Sequence, residues 1–230
     1  MSSGPIGDID PSTIAAVTFD CYGTLIDWEA GVRDYVAPIL ALSSQREVTP
    51  AQWVERWERI QFQMLRPYRP YREILQRSYD ATMQYFGIEA FVDAGAGLAR
   101  SIAEWNPFAD TRRALRRLAR RYRLAIVSNI DGDLLADSVG RLQAPFSCLV
   151  TAEDARAYKP DPKPLELAIA RLAVEPRAIV HAAFGWKCDL APARALGMRT
   201  CFVNRGGVTV DEPRDLEVPS LDALADALDT

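Results

Sequence analysis

Short apolar runs that alternate with amphipathic stretches constrain the fold of this chain more than any other feature. The run at 14–20 is rich in β-branched residues and ends in Asp20, and similar runs recur at 124–128, 178–184 and 199–203. Such runs predict buried parallel strands. Helical periodicity separates them at residues 109–121, 132–141, 162–173, 189–196 and 221–228. Strands and helices in alternation predict an α/β fold with a doubly wound, mainly parallel sheet.

The alternation is interrupted after the first run. Residues 29–105 show helical periodicity, no convincing strand and many aromatic side chains. We therefore expect an all-helical cap domain at 29–105, inserted into a catalytic core formed by 10–28 and 106–230. Open α/β sheets bind ligands at the carboxyl ends of their strands. The expected active site lies in the cleft between the core and the cap.

Composition and charge argue against several classes of partner. The net charge of -4 disfavours nucleic acid, because phosphate binding needs concentrated positive charge. The basic run at 112–121 has the spacing of a solvated helix face. No apolar stretch approaches the roughly 20 residues that span a bilayer, and no export signal is recognisable at the N-terminus. The four cysteines lack CxxC spacing, so we expect reduced thiols, a cytoplasmic location and no membrane partner.

Polar residues follow the predicted strands in an order that suits covalent catalysis. Asp20 ends the first strand, and Ser128 and Asn129 follow the second. Lys159 opens a Lys-Pro-Asp-Pro segment, and Asp189 comes shortly after the strand at 178–184. A nucleophile, small polar groups, a lysine and a second acid are what an aspartyl-ester mechanism requires.

These motifs resemble those of the haloacid dehalogenase superfamily. The segments are Phe19-Asp-Cys-Tyr-Gly-Thr-Leu-Ile-Asp27, Ser128-Asn129 and Lys159-Pro-Asp161. The resemblance implies a Rossmann-like core with a helical cap. Phosphatases of the superfamily carry a second aspartate two positions after the nucleophile, to protonate an alkoxide. Here that position is Tyr22, as in the type II (S)-2-haloacid dehalogenase branch, whose halide leaves without a proton.

This branch implies hydrolytic dehalogenation of small (S)-2-haloacids to hydroxy acids. Asp20 would attack the α-carbon and form an ester, which water hydrolyses with inversion of configuration. Lys159 would keep Asp20 ionised, and Asp189 would pair with Lys159 and orient the water. The expected substrate-binding residues are Tyr22, Thr24, Ser128, Asn129, Arg59 and Trp186. A purely structural role for Thr24 is an alternative.

The resemblance is weaker at the halide site. A departing halide needs a cation when it is desolvated. The branch places an arginine in a Trp-Arg-x-x-Gln stretch of the cap, whereas this chain reads Trp57-Glu-Arg59-Ile-Gln61. We favour Arg59 among the candidates Arg56, Arg59, Arg66 and Arg69. A surface ion pair with a neighbouring glutamate is the alternative role for Arg59.

The motif around Asp189 also departs from the branch. The dehalogenase pattern is Ser-x-Asn-x-x-Asp, and this chain has Phe184-Gly-Trp186-Lys-Cys-Asp189. An indole can donate but not accept a hydrogen bond, so the water site must be built differently, with Lys187 as one option. Trp186 is alternatively a core or cap-facing aromatic. We interpret His181 as a buried strand residue rather than a base.

No metal or cofactor is expected, because Tyr22 and Trp186 stand where metal-dependent relatives place acidic groups. The alternatives are a magnesium-dependent phosphatase acting on a small phosphomonoester, a displacement on an unusual acid such as a fluorinated one, and a non-enzymatic carboxylate-binding module. The large aromatics of the cap favour a small pocket, and exposed ones favour a homodimer.

Overall fold

A six-stranded parallel sheet lies at the centre of the part of the chain described by the computed structural model, residues 9–43, 47–89, 91 and 93–229. The strand order is β3-β2-β1-β4-β5-β6, and every neighbouring pair is parallel. The strands are β1 (Ala16–Phe19), β2 (Arg123–Ser128), β3 (Cys148–Thr151), β4 (Ile179–Ala183), β5 (Arg199–Val203) and β6 (Leu216–Val218).

Helices occupy the connections between the strands. Between β1 and β2 lie α1 (Trp28–Leu42), α2 (Pro50–Gln63), α3 (Tyr71–Tyr85), α4 (Ala94–Ser101) and α5 (Thr111–Leu118). The later connections contain α6 (Gly132–Leu142), α7 (Ala152–Ala155), α8 (Lys163–Leu172), α9 (Ala191–Ala195) and α10 (Leu221–Leu228). Short 3-10 turns lie at Pro11–Thr13, Ile102–Glu104 and Pro176–Ala178, and a π-helical turn spans Trp186–Leu190.

Helices cover both faces of the sheet, which confirms the predicted doubly wound α/β fold. Alternate side chains of a strand point to opposite faces. Val17 and Phe19 pack in one apolar cluster with α5, α6 and α10, whereas Ala16 packs in a second cluster with α8. Because both faces are covered, the strands read as nearly continuous apolar runs.

The four predicted strands correspond to β1, β2, β4 and β5, but β3 and β6 were not predicted. Of the described residues between 29 and 105, none belongs to a strand. The division into a cap at 29–105 and a core at 10–28 and 106–230 remains our proposal. No helix within the described ranges is long and apolar enough to cross a membrane. The expectation of no export signal concerns residues 1–8, which lie outside those ranges.

A carboxylate after β2 caps the first turn of α3. Asp131 Oδ1 accepts a hydrogen bond from the backbone N–H of Tyr71 at 2.8 Å, and Oδ2 accepts one from Arg72 at 2.9 Å. Pro70, at the N-cap of α3, offers no side-chain cap of its own. The amide donors at this helix end therefore find their acceptor on the sheet side of the cleft. The Tyr158 hydroxyl donates to the Arg69 carbonyl at 2.7 Å beside this contact.

We expect Asp131→Ala to lower the free energy of unfolding by about 1–2 kcal/mol, because two backbone donors of α3 lose their cap. Urea unfolding measures the change. Asp133→Ala is the matched control, since its carboxylate forms an exposed ion pair with Arg72 at 2.5 Å. Exposed pairs contribute little, so the control should lose less than about 0.5–1 kcal/mol. Equal losses in the two variants would contradict the capping role.

Candidate active site

Asp20 lies directly after β1, where the chain turns back on itself. Its backbone N–H still bonds to Ala182 of the neighbouring strand, and its side chain is buried. The turn includes Gly23 at φ +96°, where a Cβ atom would come within 2.5 Å of the Phe184 ring. Only glycine combines this backbone conformation with the close approach of the ring.

Thr24 is bonded to two groups at this turn. Its hydroxyl donates to Asp20 Oδ2 at 3.0 Å and accepts from the backbone N–H of Phe184 at 3.1 Å. The hydroxyl thus joins the segment after β1 to the segment after β4. This is the contact to Asp20 that the sequence predicted for Thr24.

Lys159 is buried between two carboxylates. Its Nζ lies 3.0 Å from Asp20 Oδ1, forms a short contact with Asp189 Oδ1, and donates to the Val127 carbonyl at 2.7 Å. The side chain is 1% exposed. An ammonium group has three donors, and here all three have an acceptor. The structure therefore brings together the three residues predicted to be catalytic.

Asn129 holds the backbone of Lys159. Its Oδ1 accepts from the Lys159 N–H at 2.7 Å, and its Nδ2 donates to the Lys159 carbonyl at 3.0 Å. One N–H of the side-chain amide is left for a ligand. The predicted carboxylate-binding role of Asn129 is thus reduced to that one donor, and its main contacts position Lys159.

The three buried charges shift one another's pKa values. Burial raises the pKa of Asp20 above its usual value. The Lys159 ammonium opposes this shift, and the Asp189 carboxylate adds to it. Burial also opposes ionisation of Asp189, but Lys159 and His181 outweigh it and lower the pKa of Asp189. Burial alone would lower the pKa of Lys159, yet the two carboxylates raise it above its usual range. Lys159 favours ionised Asp20, as expected, but the nucleophile is still harder to ionise than an exposed aspartate.

His181 orients the second acid from within the sheet. It lies on β4 and is fully buried, as the sequence interpretation proposed. Its Nδ1 is 2.8 Å from Thr18 Oγ1, and its Nε2 is 3.4 Å from Asp189 Oδ1. The sequence showed a histidine in an apolar run but gave no sign of this contact, since Asp189 lies within the π-helical turn Trp186–Leu190, whose path the sequence pattern does not predict.

Tyr22 and Ser128 present different kinds of hydroxyl near Asp20. The Tyr22 hydroxyl is 2.8 Å from Ser138 Oγ, and its ring meets Trp105 edge to face. Burial raises the pKa of Tyr22 well above its usual range, so the phenol stays protonated. The buried Ser128 Oγ has no hydrogen-bond partner within the described part of the chain, and Ser128 lines the cavity. Its hydroxyl is therefore available to a ligand, whereas that of Tyr22 is already bonded.

A cavity of about 320 Å³ opens above these residues, between the ends of the strands and helices α1 to α3. This is the cleft that the sequence predicted. Trp186 and Lys187 also line it, so Trp186 faces the site. Its lining includes the following residues from the region 28–105: Trp28, Trp57, Glu58, Gln61, Phe62, Leu65, Tyr71, Ile102 and Trp105.

The structure corrects the expectation that Arg59 binds halide. Arg59 pairs with Glu55 at 2.5 Å, and the side chains of both are more than 60% exposed. Residues three and four apart share a helix face, so Trp57 and Gln61 face the cavity while Arg59 points away. Glu58 lines the cavity instead, and among the described residues that line it none is an arginine. Arg59 therefore has the alternative role, a surface ion pair.

The two strand-end carboxylates do not suit a magnesium ion. Magnesium requires several oxygen ligands in octahedral geometry. Asp20 and Asp189 are both bonded to the Lys159 ammonium, whose charge repels a cation at that point. Within the residues that the structure describes, no group of three or more His, Cys, Asp and Glu side chains is arranged to hold a metal ion.

The Rossmann-like sheet, the helical insertion and the strand-end acids define a hydrolase core with a site at the carboxyl edge of its sheet. The chain belongs to the haloacid dehalogenase-like hydrolase family, whose model matches residues 14–202. This confirms the family inferred from the motifs around Asp20, Ser128 and Lys159.

Relatives with named activities match nearly the whole chain. Haloacetate dehalogenase H-2 of Moraxella sp. (strain B) is 29% identical and covers 92% of this chain and 96% of its own. The (S)-2-haloacid dehalogenase of Pseudomonas sp. (strain YL) is also 29% identical and covers 94% and 95%. The L-2-haloacid dehalogenase structure from Xanthobacter autotrophicus shares the fold with a TM-score of 0.81, at 22% identity, covering 94% of this chain and 98% of its own.

Proposed function

We propose that this chain hydrolyses the carbon–halogen bond of small (S)-2-haloacids to give hydroxy acids, through an ester on Asp20. The contact between Lys159 and both Asp20 and Asp189, at the floor of a cavity, is the observation that carries the proposal. It supplies an activated carboxylate, a counter-charge and a second acid within one cluster. The relatives named as haloacetate and (S)-2-haloacid dehalogenases support the same reaction.

In the first step, an Asp20 carboxylate oxygen attacks the α-carbon from the side opposite the halogen. The new carbon–oxygen bond forms as the carbon–halogen bond breaks, and halide leaves with the bonding electron pair. Halide is a weak base, so no proton is needed at this point. The Tyr22 hydroxyl is bonded to Ser138 and has a raised pKa, so it is a poor acid. This does not slow the first step, which requires no acid.

In the second step, water attacks the carboxyl carbon of the Asp20 ester. The bond between the Asp20 carboxyl carbon and the substrate oxygen breaks, and the departing alkoxide takes the proton that the water gave up to Asp189. The hydroxy acid leaves with inverted configuration, and Asp20 returns to its carboxylate form by losing its carboxyl proton to solvent. Asp189 is the proposed acceptor for the proton of the water, since its lowered pKa keeps it ionised and ready to orient the water. Once Asp20 is esterified, its charge is gone, and Lys159 and His181 remain to hold Asp189 in place.

The substrate carboxylate needs donors on the core side of the cavity. Ser128 Oγ and the remaining N–H of Asn129 are close to the end of β2 and line the cavity. Lys187, on the π-helical turn, also lines the cavity and brings a positive charge to it. With Arg59 outside the cavity, Lys187 and the indole N–H of Trp186 are the proposed partners of the departing halide.

We expect the purified chain to release chloride from (S)-2-chloropropionate in excess EDTA, at a rate that added magnesium leaves unchanged within about twofold. Ion chromatography measures the chloride. The reason is the donor set, in which both carboxylates, Asp20 and Asp189, are already bonded to the Lys159 ammonium. Absence of chloride, together with magnesium-dependent release of phosphate from a small phosphomonoester, would replace the proposal with the phosphatase alternative.

A further inference from the structure

We propose that the haloacid carries an uncharged, aromatic-sized side chain, which is seated against the residues of α2 and α3 that line the cavity. This inference rests on the proposed function and names the substrate class for the same site. It concerns the part of the cavity that the reaction centre leaves unused.

The cavity is much larger than a three-carbon acid requires. Its volume of about 320 Å³ lies within the range of about 300–1,000 Å³ found for sites that enclose drug-sized ligands. The methyl side chain of 2-chloropropionate would reach little of that space. The large aromatics line this cavity and leave its interior open to a ligand.

The aromatic walls are held in place by hydrogen bonds to residues outside the cavity and by packing of one ring on another. The Trp57 indole N–H donates to Ser78 Oγ at 2.9 Å, and the Trp105 N–H donates to Ser101 Oγ at 3.2 Å. Trp28 packs on Trp57 with ring centroids 5.9 Å apart. With both N–H groups bonded, Trp57 and Trp105 offer a ligand apolar ring surface only. A preformed apolar space of this kind is best matched by an apolar group of similar size.

The wall nearest solvent continues this apolar surface. Phe62 lines the cavity although 46% of its surface is exposed, and Leu65, just after the end of α2, lines it as well. An exposed phenylalanine at the rim of a cavity is able to cover a ring that enters it. Tyr71 completes this side, and its hydroxyl is bonded to the Gln61 amide at 3.0 Å.

Glu58 makes the same wall unsuitable for a second carboxylate. It lines the cavity next to Trp57, with its carboxylate accessible to solvent and to a ligand. A substrate side chain that ends in a carboxylate would meet this acid at close range and be repelled. The favoured side chain is therefore both aromatic-sized and neutral.

Halide release from three (S)-configured acids tests the inference: 2-chloropropionate, 2-chloro-3-phenylpropionate and 2-chlorosuccinate, at pH 8, well above the usual range of a carboxyl pKa. We expect the phenyl compound to have a kcat/KM at least about tenfold above that of chloropropionate, through a lower KM, because its ring is buried. Chlorosuccinate should be the poorest substrate, and Glu58→Gln should raise its kcat/KM by about tenfold.

Phe62→Ala and Phe91→Ala form a matched pair of variants. Both phenylalanines are about half exposed, but Phe91 lies outside the cavity. We expect Phe62→Ala to lower the phenyl-to-methyl ratio of kcat/KM by about threefold or more, and Phe91→Ala to leave it unchanged. A preference for chloropropionate, or equal effects of the two variants, would overturn the inference while the proposed function stands. Release from none of the three acids would instead sink the proposed function.

Discussion

Asp20→Asn is expected to abolish halide release, with a loss of about 10⁴-fold or more, because no other group near the α-carbon can form the ester. Asparagine has nearly the same shape and retains an acceptor for the Thr24 hydroxyl. The variant should fold as well as the parent. Burial raises the pKa of Asp20, so at neutral pH its ionised form costs the folded state free energy, and the neutral amide removes that cost. Initial rates of halide release check the loss of activity, and the thermal midpoint of unfolding checks that the variant folds as well as the parent.

A single turnover in oxygen-18 water distinguishes the ester from direct attack by water. With enzyme in excess over substrate, we expect the label to enter the carboxyl group of Asp20, and the hydroxy acid to carry an unlabelled oxygen taken from Asp20. Mass spectrometry of the peptide that contains residue 20 detects this. Label in the first equivalent of product, with none in the peptide, would show that Asp20 acts as a base on water instead. The loss in Asp20→Asn alone would not separate these two mechanisms.

Sequence patterns predicted the parts of the fold that have regular periodicity. β1, β2, β4 and β5 are nearly unbroken apolar runs because helices cover both faces of the sheet. β3 and β6 lack that signal. β3 has only four residues, and β6 has three, one of which is Glu217, bonded to Asn204 and Arg214. Edge strands so short are recognisable only once the strands beside them are in place.

The candidate site was predictable where its residues follow strands and less so where they lie on helices. Asp20, Ser128 and Asp189 come to one edge because parallel strands end together. The phase of α2 relative to the cavity could not be derived from the sequence alone. Neighbouring residues of α2 differ in whether they reach the cavity: Glu58 lines it and Arg59 does not. The contact between His181 and Asp189 likewise depends on the path of the π-helical turn after β4.

The charge balance of the buried cluster makes Lys159 the residue whose loss should damage the fold most. Its ammonium group lies between two carboxylates whose side chains are less than 10% exposed. With Lys159 present, the cluster carries one net negative charge. Without it, two carboxylates would face each other in a buried site, and among the described residues that line the cavity there is no arginine to pair with them.

We therefore expect Lys159→Met to lower the free energy of unfolding at pH 7 by about 3–5 kcal/mol and to remove halide release. Methionine has a similar length and keeps the volume filled, so the loss reports on charge. Lys163→Met, at the exposed start of α8, should change stability by less than about 0.5 kcal/mol. Urea unfolding of both variants measures the difference.

The pH dependence of the stability loss in Lys159→Met distinguishes the contribution of the Lys159 charge from that of its packed side chain. In the parent, the lowered pKa of Asp189 contributes stability that is present above the pKa of an unfolded aspartate and is lost as pH falls through the folded value. In Lys159→Met, mutual repulsion and burial raise both aspartate pKa values above those in the parent, so protonation relieves the variant more than it relieves the parent. The difference in free energy of unfolding between the parent and Lys159→Met (the stability gap) should narrow as the pH is lowered from 7 towards about 4. Adding Asp189→Asn to Lys159→Met should recover part of the loss. A gap that stays constant across this range would mean that Lys159 stabilises the fold through its packed side chain, and that the two aspartates do not depend on its charge.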